Sequence, residues 1–258
     1  NHKMASILSF INQKGGVGKT TSAVNVALSL AVSEVRTLIV DLDPQANATT
    51  GLSSICSNLE GSVYDILIKD VKILNVINKT SFSHLDILPS TNDLVGAEVE
   101  LVGVIAREYQ LKKSLEQVSK KYDIIIIDCP PSLGLLTVNS LTASDEIIIP
   151  IQCEYYALEG LGQLLNTVRL VQQNLNKDLK IGGVIMTMFD SRLNLSNQVV
   201  KEVDGFFKEK LFKTMIHRNV RLSEAPSFGK PALLYDASST GAQNYLSLTE
   251  EILKRVNQ

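Results

Sequence analysis

The chain has 258 residues, of which 45% are hydrophobic and 20% are charged, and its formal net charge is −2. This composition is that of a globular protein with enough apolar side chains to bury a large core, and it excludes a disordered chain. With a net charge so close to zero, the protein as a whole is not attracted to nucleic acid, so any DNA binding must come from a local patch of positive charge.

The cysteine content and the hydropathy of the chain indicate its cellular compartment. The three cysteines, Cys56, Cys129 and Cys153, form no CxxC pair and are too few for a disulfide scaffold. No apolar stretch approaches the roughly 20 residues that span a bilayer, and the first residues lack the zones of a signal peptide. We therefore expect a cytoplasmic protein. We also expect residues 1–3, ahead of Met4, to be left over from an expression tag.

Short apolar runs alternate along the chain with segments of helical periodicity, which is typical of βαβ units. The predicted strands are, in chain order, Ile7–Ile11, Thr37–Val40, Leu85–Leu88, Ile124–Ile127, Ile147–Ile151 and Ile181–Met188. The predicted helices are Thr20–Val32, Leu94–Lys120, Leu158–Leu175, Leu195–Leu211 and Gly241–Val256. Several strands are apolar at every position, which indicates a mostly parallel sheet with helices on both faces. Because no repeat or linker interrupts the pattern, we predict one domain over residues 4–258.

A glycine-rich loop follows the first predicted strand and leads into the first predicted helix. The segment Asn12–Thr21 has the sequence NQKGGVGKTT, and strand, glycine loop and helix are the context that a P-loop requires. Its backbone N–H groups can turn toward phosphate, the helix N-terminus adds positive potential, and Lys19 supplies a full charge. The predicted ATP ligands of the loop are Lys14, Gly15, Gly16, Val17, Gly18, Lys19, Thr20 and Thr21. We therefore predict an α/β P-loop NTPase with a mostly parallel twisted sheet.

Acidic residues follow two further predicted strands, at the carboxyl edge where parallel α/β sheets bind their ligands. Asp41 and Asp43 end the second strand, and Asp128 ends an unbroken run of four isoleucines. Asp128 stands where a Walker-B aspartate holds Mg²⁺, and the hydroxyl of Thr20 supplies a second ligand. We predict that Asp41 instead anchors the end of its strand.

The loop departs from the strict GxxxxGK[ST] pattern at Gln13 and carries an additional lysine, Lys14. This variant resembles the deviant Walker A motif of the superfamily that contains ParA, MinD and the nitrogenase iron protein. Four further motifs resemble small chromosomal-type ParA partition ATPases, often called Soj. These are VDLDPQANAT at 40–49, IIIDCPPSLG at 125–134, TMFDSRLNLS at 187–196 and RNVRLSEAPSFGKP at 218–231. The resemblance covers essentially the whole chain from Met4.

The resemblance implies roles for individual residues in ATP hydrolysis. Lys14 matches the signature lysine that reaches the phosphates of a partner subunit in an ATP-dependent homodimer. Asp43 matches the aspartate that orients or activates the attacking water. Met188, His217 and Asn219 correspond to the adenine pocket, and most relatives have proline where His217 stands. Lys14 and Asp43 are thus the predicted catalytic residues, and ATP and Mg²⁺ are the predicted cofactors.

A local excess of positive charge supports a second implied activity, which is binding of double-stranded DNA without sequence preference. The segment 192–230 contains eight Lys or Arg and four Asp or Glu, an excess of +4. Arginines that match Arg192 and Arg221 contribute to the DNA surface of the family, and Lys230 is a third candidate. Contacts of this kind with phosphate are independent of sequence and weaken with salt. The family also implies a nucleoid-associated protein whose ATP hydrolysis is stimulated by a ParB-type centromere-binding protein.

Three alternatives differ from this interpretation in testable features. A MinD-like membrane-associated positioning ATPase would carry a basic amphipathic tail, whereas charges balance in Leu246–Val256, and we expect no membrane partner. An iron–sulfur carrier would need cysteines that bridge a cluster between subunits, but Cys129 lies inside the Walker-B turn. In a DNA-binding protein without catalysis, Asp43 and Asp128 would have no role.

Overall fold

The computed structural model of the protein describes residues 4–258. The three residues ahead of Met4, which we expect to come from an expression tag, lie outside the described residues. Within residues 4–258 the strands are β1 (Ser6–Phe10), β2 (Thr37–Asp41), β3 (Asn78–Lys79), β4 (Leu85–Leu88), β5 (Ile124–Asp128), β6 (Glu146–Gln152) and β7 (Lys180–Thr187). The two-residue strand β3 is the one that the hydrophobic pattern did not predict.

The α-helices follow the strands in the alternation expected of βαβ units. Over the same residues they are α1 (Lys19–Val32), α2 (Asn47–Gly51), α3 (Val63–Ile68), α4 (Leu94–Glu100), α5 (Gln110–Glu116), α6 (Leu135–Ala143), α7 (Leu161–Asn174), α8 (Asn194–Phe207), α9 (Val220–Glu224), α10 (Ala232–Tyr235) and α11 (Thr240–Val256). Several short 3₁₀ turns connect them.

The strands join one sheet in the order β3-β4-β2-β5-β1-β6-β7, and every neighbouring pair except β3 and β4 is parallel. The predicted mostly parallel sheet is therefore confirmed. Because parallel strands end at one edge, the loops after β1, β2, β5 and β6 lie side by side there. This edge, called the carboxyl edge below, carries the candidate site. The division of residues 4–258 into a single domain stays a prediction.

Helices cover both faces of the sheet, as the composition of the strands predicts. Ile125 and Ile127 of β5 enter a core that includes side chains of α3 to α8, whereas Ile124 and Ile126 enter a second core with α1 and α11. All four isoleucines are buried. An unbroken apolar run suits this strand because successive side chains enter opposite cores.

Three predicted helices differ from the structure. One of them, α8, ends four residues earlier than predicted because Lys208, directly after it, has a φ of 52°. The prediction of one helix over Leu94–Lys120 is wrong, because α4 and α5 are separate elements. Between them Val104 is extended, and Ala106 has a φ of 52°, a left-handed conformation that a continuous helix cannot contain. Helix α7 begins three residues later than predicted because Gly160, directly before it, has a φ of 84°.

The C-terminal helix α11 is packed into the second core. Tyr245, Leu248 and Ile252 are buried, and the Tyr245 hydroxyl lies 2.9 Å from the hydroxyl of Ser22 on α1. The apolar face of the segment 246–256 therefore contacts protein. None of the described helices is long and apolar enough to cross a lipid bilayer.

Candidate functional site

The phosphate loop joins β1 to α1 at the carboxyl edge. Gly16 and Gly18 have φ values of 72° and 78°, in the left-handed region that glycine adopts without strain. A Cβ atom on Gly18 would lie in ordinary contact with Thr187, at 3.4 Å from its Cγ2, so the backbone conformation rather than lack of space favours glycine here. Helix α1 begins at the next residue, Lys19, and its unpaired N–H groups face the loop. The loop thus has the geometry that phosphate binding requires.

Neighbouring strands hold the phosphate loop in place. Asn12 Nδ2 donates a hydrogen bond to the carbonyl of Pro150 at 2.8 Å, and Asn12 Oδ1 accepts one from the N–H of Lys14 at 2.9 Å. The hydroxyl of Thr187, at the end of β7, donates to the carbonyl of Val17 at 2.7 Å. The start of the loop is therefore tied to β6, and its centre is tied to β7.

Lys19, Thr20 and Asp128 form a cluster beside the loop. Lys19 Nζ lies 3.2 Å from Asp128 Oδ1, and the Thr20 hydroxyl donates to Asp128 Oδ2 at 2.8 Å. Lys19 is 7% exposed and Asp128 is fully buried. Burial raises the pKa of Asp128, and the charge of Lys19 partly offsets this effect. Because a carboxylate and a hydroxyl supply the oxygen ligands that Mg²⁺ prefers, these residues fit the predicted metal site.

Asp41 and Asp43 lie at the end of β2, on the strand next to β5. Asp41 accepts hydrogen bonds from the N–H and hydroxyl of Thr49 at 2.9 and 2.7 Å and from the N–H of Asp43 at 3.1 Å, the geometry of an anchor for the strand end. Asp43 is buried, its Oδ1 accepts from the N–H of Gln45 at 2.9 Å, and its carbonyl accepts from the Ser90 hydroxyl at 2.7 Å. No group among the described residues donates to Asp43 Oδ2, so this oxygen is free to accept a hydrogen bond.

A cavity of about 320 Å³ adjoins the phosphate loop. Gly18 and Thr21 form the wall on the side of the loop, and Met188, His217 and Asn219 form part of the opposite wall. The structure therefore brings together the three residues predicted for the adenine pocket. A cavity with apolar and amide groups beside a phosphate loop suits a nucleoside phosphate.

Local contacts fix the walls of this cavity. Asn219 Oδ1 accepts a hydrogen bond from the N–H of Arg221 at 3.1 Å and so caps α9. The backbone N–H of His217 donates to Asn244 Oδ1 at 3.0 Å, a bond that a proline at this position could not form. Met188 has a φ of 54°. The cap leaves the amide nitrogen of Asn219 available to a ligand.

Comparison with known proteins places this site in a family. A family model described as an AAA domain matches residues 5–181. Over 249 residues the chain is 58% identical to the sporulation initiation inhibitor protein Soj of Bacillus subtilis (strain 168), a match that spans 96% of this chain and 98% of that protein. The chain belongs to the ParA/Soj family of chromosome-partitioning ATPases. It is also 55% identical to the chromosome partitioning protein ParA of Myxococcus xanthus (strain DK1622), over 96% of this chain and 88% of that protein.

A solved structure supports the same fold. Cobyrinic acid a,c-diamide synthase from Mycobacterium smegmatis, crystallised with bound ADP and magnesium, matches with a TM-score of 0.84 and 37% identity. The match covers 97% of this chain and 95% of that chain. The predicted α/β P-loop architecture is confirmed.

Lys14, the additional lysine of the loop, does not join the cluster of Lys19, Thr20 and Asp128. The ammonium group of Lys14 pairs with the carboxylate of Glu154, in the loop after β6, and the Lys14 side chain is 48% exposed. Lys14 borders a surface depression together with Tyr156 and Gly160. It therefore lies on the outside of the carboxyl edge.

The predicted DNA contacts of the family lie on the surface. Arg192, on the turn between β7 and α8, is 84% exposed and pairs with Asp190. Arg221 lies on α9 and pairs with Glu224, and Lys230 is exposed as well. The segment that carries Arg221 also provides Asn219 to the nucleotide cavity, so the two predicted surfaces share one element.

Some residues of the ParA/Soj site were not predicted from the sequence. Thr187 and Pro226 border the cavity, and both lie in motifs that carry the family resemblance, so the signal was present. Asn244 lies outside those motifs and reaches His217 only because α11 folds back onto the cavity.

Proposed function

We propose that this chain binds ATP and Mg²⁺, dimerises on ATP, binds DNA without sequence preference, and partitions chromosomes or plasmids together with a ParB-type partner. The observation that carries the proposal is the separation of the two lysines of the loop. Lys19 is buried beside Asp128, whereas Lys14 is half exposed and pairs with Glu154. An exposed lysine of the phosphate loop would complete the site of a second copy of the chain.

The nucleotide would lie between the phosphate loop and the cavity. The N–H groups of Gly15–Thr21 and the ammonium of Lys19 would bind the phosphates, and the wall with Asn219 would contact the base. Thr20 and Asp128 would hold Mg²⁺, which supplies charge that offsets the phosphates when it is bound. The magnesium and ADP in the similar synthase structure support this assignment.

Hydrolysis would depend on positioning, because phosphoryl transfer needs little covalent chemistry from the protein. The backbone and Oδ1 of Asp43 are held by Gln45 and Ser90. Its Oδ2 would therefore orient a water molecule for attack on the terminal phosphate. We propose slow turnover that the ParB-type partner accelerates, in a cytoplasmic protein associated with the nucleoid.

Size-exclusion chromatography with ATP, with ADP, and with ATP plus DNA tests the proposal. Wild type should elute as a dimer with ATP and as a monomer with ADP, and Asp43→Ala should stay dimeric in ATP. Lys14→Ala should stay monomeric with ATP while still binding it. Lys69→Ala, which removes another exposed lysine paired to a carboxylate at 3.2 Å, is the matched control and should dimerise normally. Elution of ATP-bound wild type as a monomer would contradict the proposal.

The other interpretations are less compatible with the structure. A membrane-associated ATPase would need a free amphipathic tail, whereas Tyr245 and Leu248 of α11 are buried. ATP-dependent sedimentation with liposomes would nevertheless favour it. An iron–sulfur carrier would need a cysteine at the surface to bridge a cluster between subunits, whereas Cys129 is fully buried.

A further inference from the structure

The two arginines that are proposed to contact DNA form ion pairs with carboxylates of the same chain. Arg192 Nε and Nη2 donate hydrogen bonds to Oδ1 and Oδ2 of Asp190 at 2.9 and 2.7 Å. Arg221 Nη1 donates to Glu224 Oε2 at 2.8 Å, and its Nε lies 3.3 Å from Asp236 Oδ2. A guanidinium has five N–H donors in a planar fork. In both arginines, part of the fork that would bind phosphate is in use.

Other groups hold these carboxylates in place while the arginines extend into solvent. Asp190 Oδ1 also accepts the backbone N–H of Arg192 at 3.1 Å, and the hydroxyl of Tyr235 donates to Glu224 Oε2 at 2.8 Å. Hydrogen bonds from Arg192, and the nearby charge of Arg218, lower the pKa of Asp190 to about 2. Asp190 is therefore ionised at neutral pH, and a DNA phosphate would meet a fixed negative charge.

The carboxylates also change the charge of the surface. The segment 192–230 has an excess of +4, but extension to 190–236 adds Asp190 and Asp236 and no lysine or arginine. The excess falls to +2, half of the value that the arginines and lysines of the shorter segment suggest. A surface of this kind binds phosphate more weakly than its number of basic residues implies.

We propose that Asp190, Glu224 and Asp236 limit the affinity of this surface for DNA, since phosphate must compete with them for Arg192 and Arg221. The inference rests on the proposed DNA binding. The expected consequence is a weak and rapidly reversible contact with DNA. Such a contact would allow the dimer to leave DNA when the nucleotide state changes. Neutralising Asp190 releases two N–H donors of Arg192, and neutralising Glu224 releases one N–H donor of Arg221. Each change also removes one repulsive charge.

The size of the effect follows from the loss of a competing ion pair. Neutralising one of these carboxylates should tighten DNA binding roughly three- to tenfold at moderate salt, the range expected for an exposed pair plus a nearby like charge. If the freed arginine then neutralises one more phosphate, the slope of log affinity against log salt should steepen by about 0.9.

The test measures fluorescence anisotropy of a labelled duplex of arbitrary sequence, with the protein in a non-hydrolysable ATP analogue and at several salt concentrations. The variants are Asp190→Asn and Glu224→Gln. Asp123→Asn is the matched control, because Asp123 holds Arg36 in the same two-bond geometry, at 2.7 and 3.1 Å, at the opposite edge of the sheet. All three substitutions change the net charge equally, and thermal melts check that each variant is folded.

Tighter binding with a steeper salt slope in Asp190→Asn or Glu224→Gln, and unchanged binding in Asp123→Asn, would support the inference. If both variants bind like Asp123→Asn, or more weakly than wild type, the inference is overturned. Arg192→Ala separates that result from failure of the proposed function. If Arg192→Ala alone weakens binding, the DNA surface is supported and the competition by the carboxylates is overturned. If every variant binds DNA like wild type, both proposals are overturned.

Discussion

The hydrogen bond between Thr187 and Val17 allows a direct test of what holds the phosphate loop. The substitution Thr187→Val keeps the shape of the side chain and removes its donor. Thr187 is 2% exposed, and no other group among residues 4–258 donates to the Val17 carbonyl. The variant therefore leaves a buried carbonyl without a partner, which should lower the free energy of unfolding by about 1–3 kcal/mol.

A matched control is available in α11. Thr249 is also 2% exposed, and its hydroxyl also donates to a carbonyl, that of Tyr245, at 2.7 Å. That carbonyl lies in the interior of a helix, where the backbone N–H four residues later binds it as well. Thr249→Val leaves no unpaired group, so its free energy of unfolding should fall by about 0.5 kcal/mol.

Urea denaturation of the nucleotide-free variants measures both free energies, and calorimetric titration measures their affinity for ATP. A loss of about 2 kcal/mol should lower the melting temperature by about 4–8 °C in a chain of this length. ATP binding should weaken in Thr187→Val, because the loop is less well ordered, and should be unchanged in Thr249→Val. Equal losses in the two variants, or wild-type ATP affinity in Thr187→Val, would refute the role assigned to this bond.

Three further predictions follow from the same structure. Gly18→Ala forces a left-handed φ on alanine and should lower the free energy of unfolding by about 1–2 kcal/mol. Because the strain lies in the phosphate loop, the ATP affinity measured by titration should also fall, and an unchanged affinity would show that the loop is not strained. Phe212→Ala empties a fully enclosed position and should lower the free energy of unfolding in urea by about 3–5 kcal/mol, and a loss below about 1 kcal/mol would show that the core collapses around it. Burial, and then the charge of Asp128, raise the pKa of Asp41 from 3.8 to about 7. Between these pH values the folded state holds a proton that the unfolded chain releases, so the contribution of Asp41 to stability falls as pH rises from about 4 to about 7. The carboxyl carbon of Asp41 should titrate near pH 7 in NMR of the nucleotide-free protein, and titration near pH 4 would show that its hydrogen bonds outweigh burial.

Hydrophobic pattern predicted the strands better than the helices. In β5 all four isoleucines enter a core, so an apolar run alone identifies the element. Helix α6 was missed because its buried side chains include polar ones, among them Thr137, Asn139 and Ser140. Asn139 can be buried because its Oδ1 accepts the N–H of Leu111 at 3.2 Å and its Nδ2 donates to the carbonyl of Arg107 at 2.9 Å. Those partners lie far away in the sequence, and no local periodicity reports them.

The candidate site also has parts that the sequence predicts and parts that it does not. The phosphate loop is continuous in sequence, and its glycines and Lys19 could be predicted from one motif. The adenine pocket was predicted from family resemblance, since nothing in the spacing of Met188, His217 and Asn219 indicates that they meet. The partner of Lys14, Glu154, was not predicted because the contact depends on how the loop after β6 turns toward the phosphate loop.

The nucleotide cavity is assembled from both ends of the chain. Gly18 and Thr21 belong to the first βα unit, whereas His217 and Asn219 follow the last strand, and α11 closes over α1 through Tyr245. During synthesis the phosphate loop leaves the ribosome long before the opposite wall of the cavity exists. The complete cavity therefore requires a chain that has been translated beyond Asn219 and has folded back on its beginning. A chain interrupted before Asn219 would have the phosphate loop without the opposite wall of the cavity.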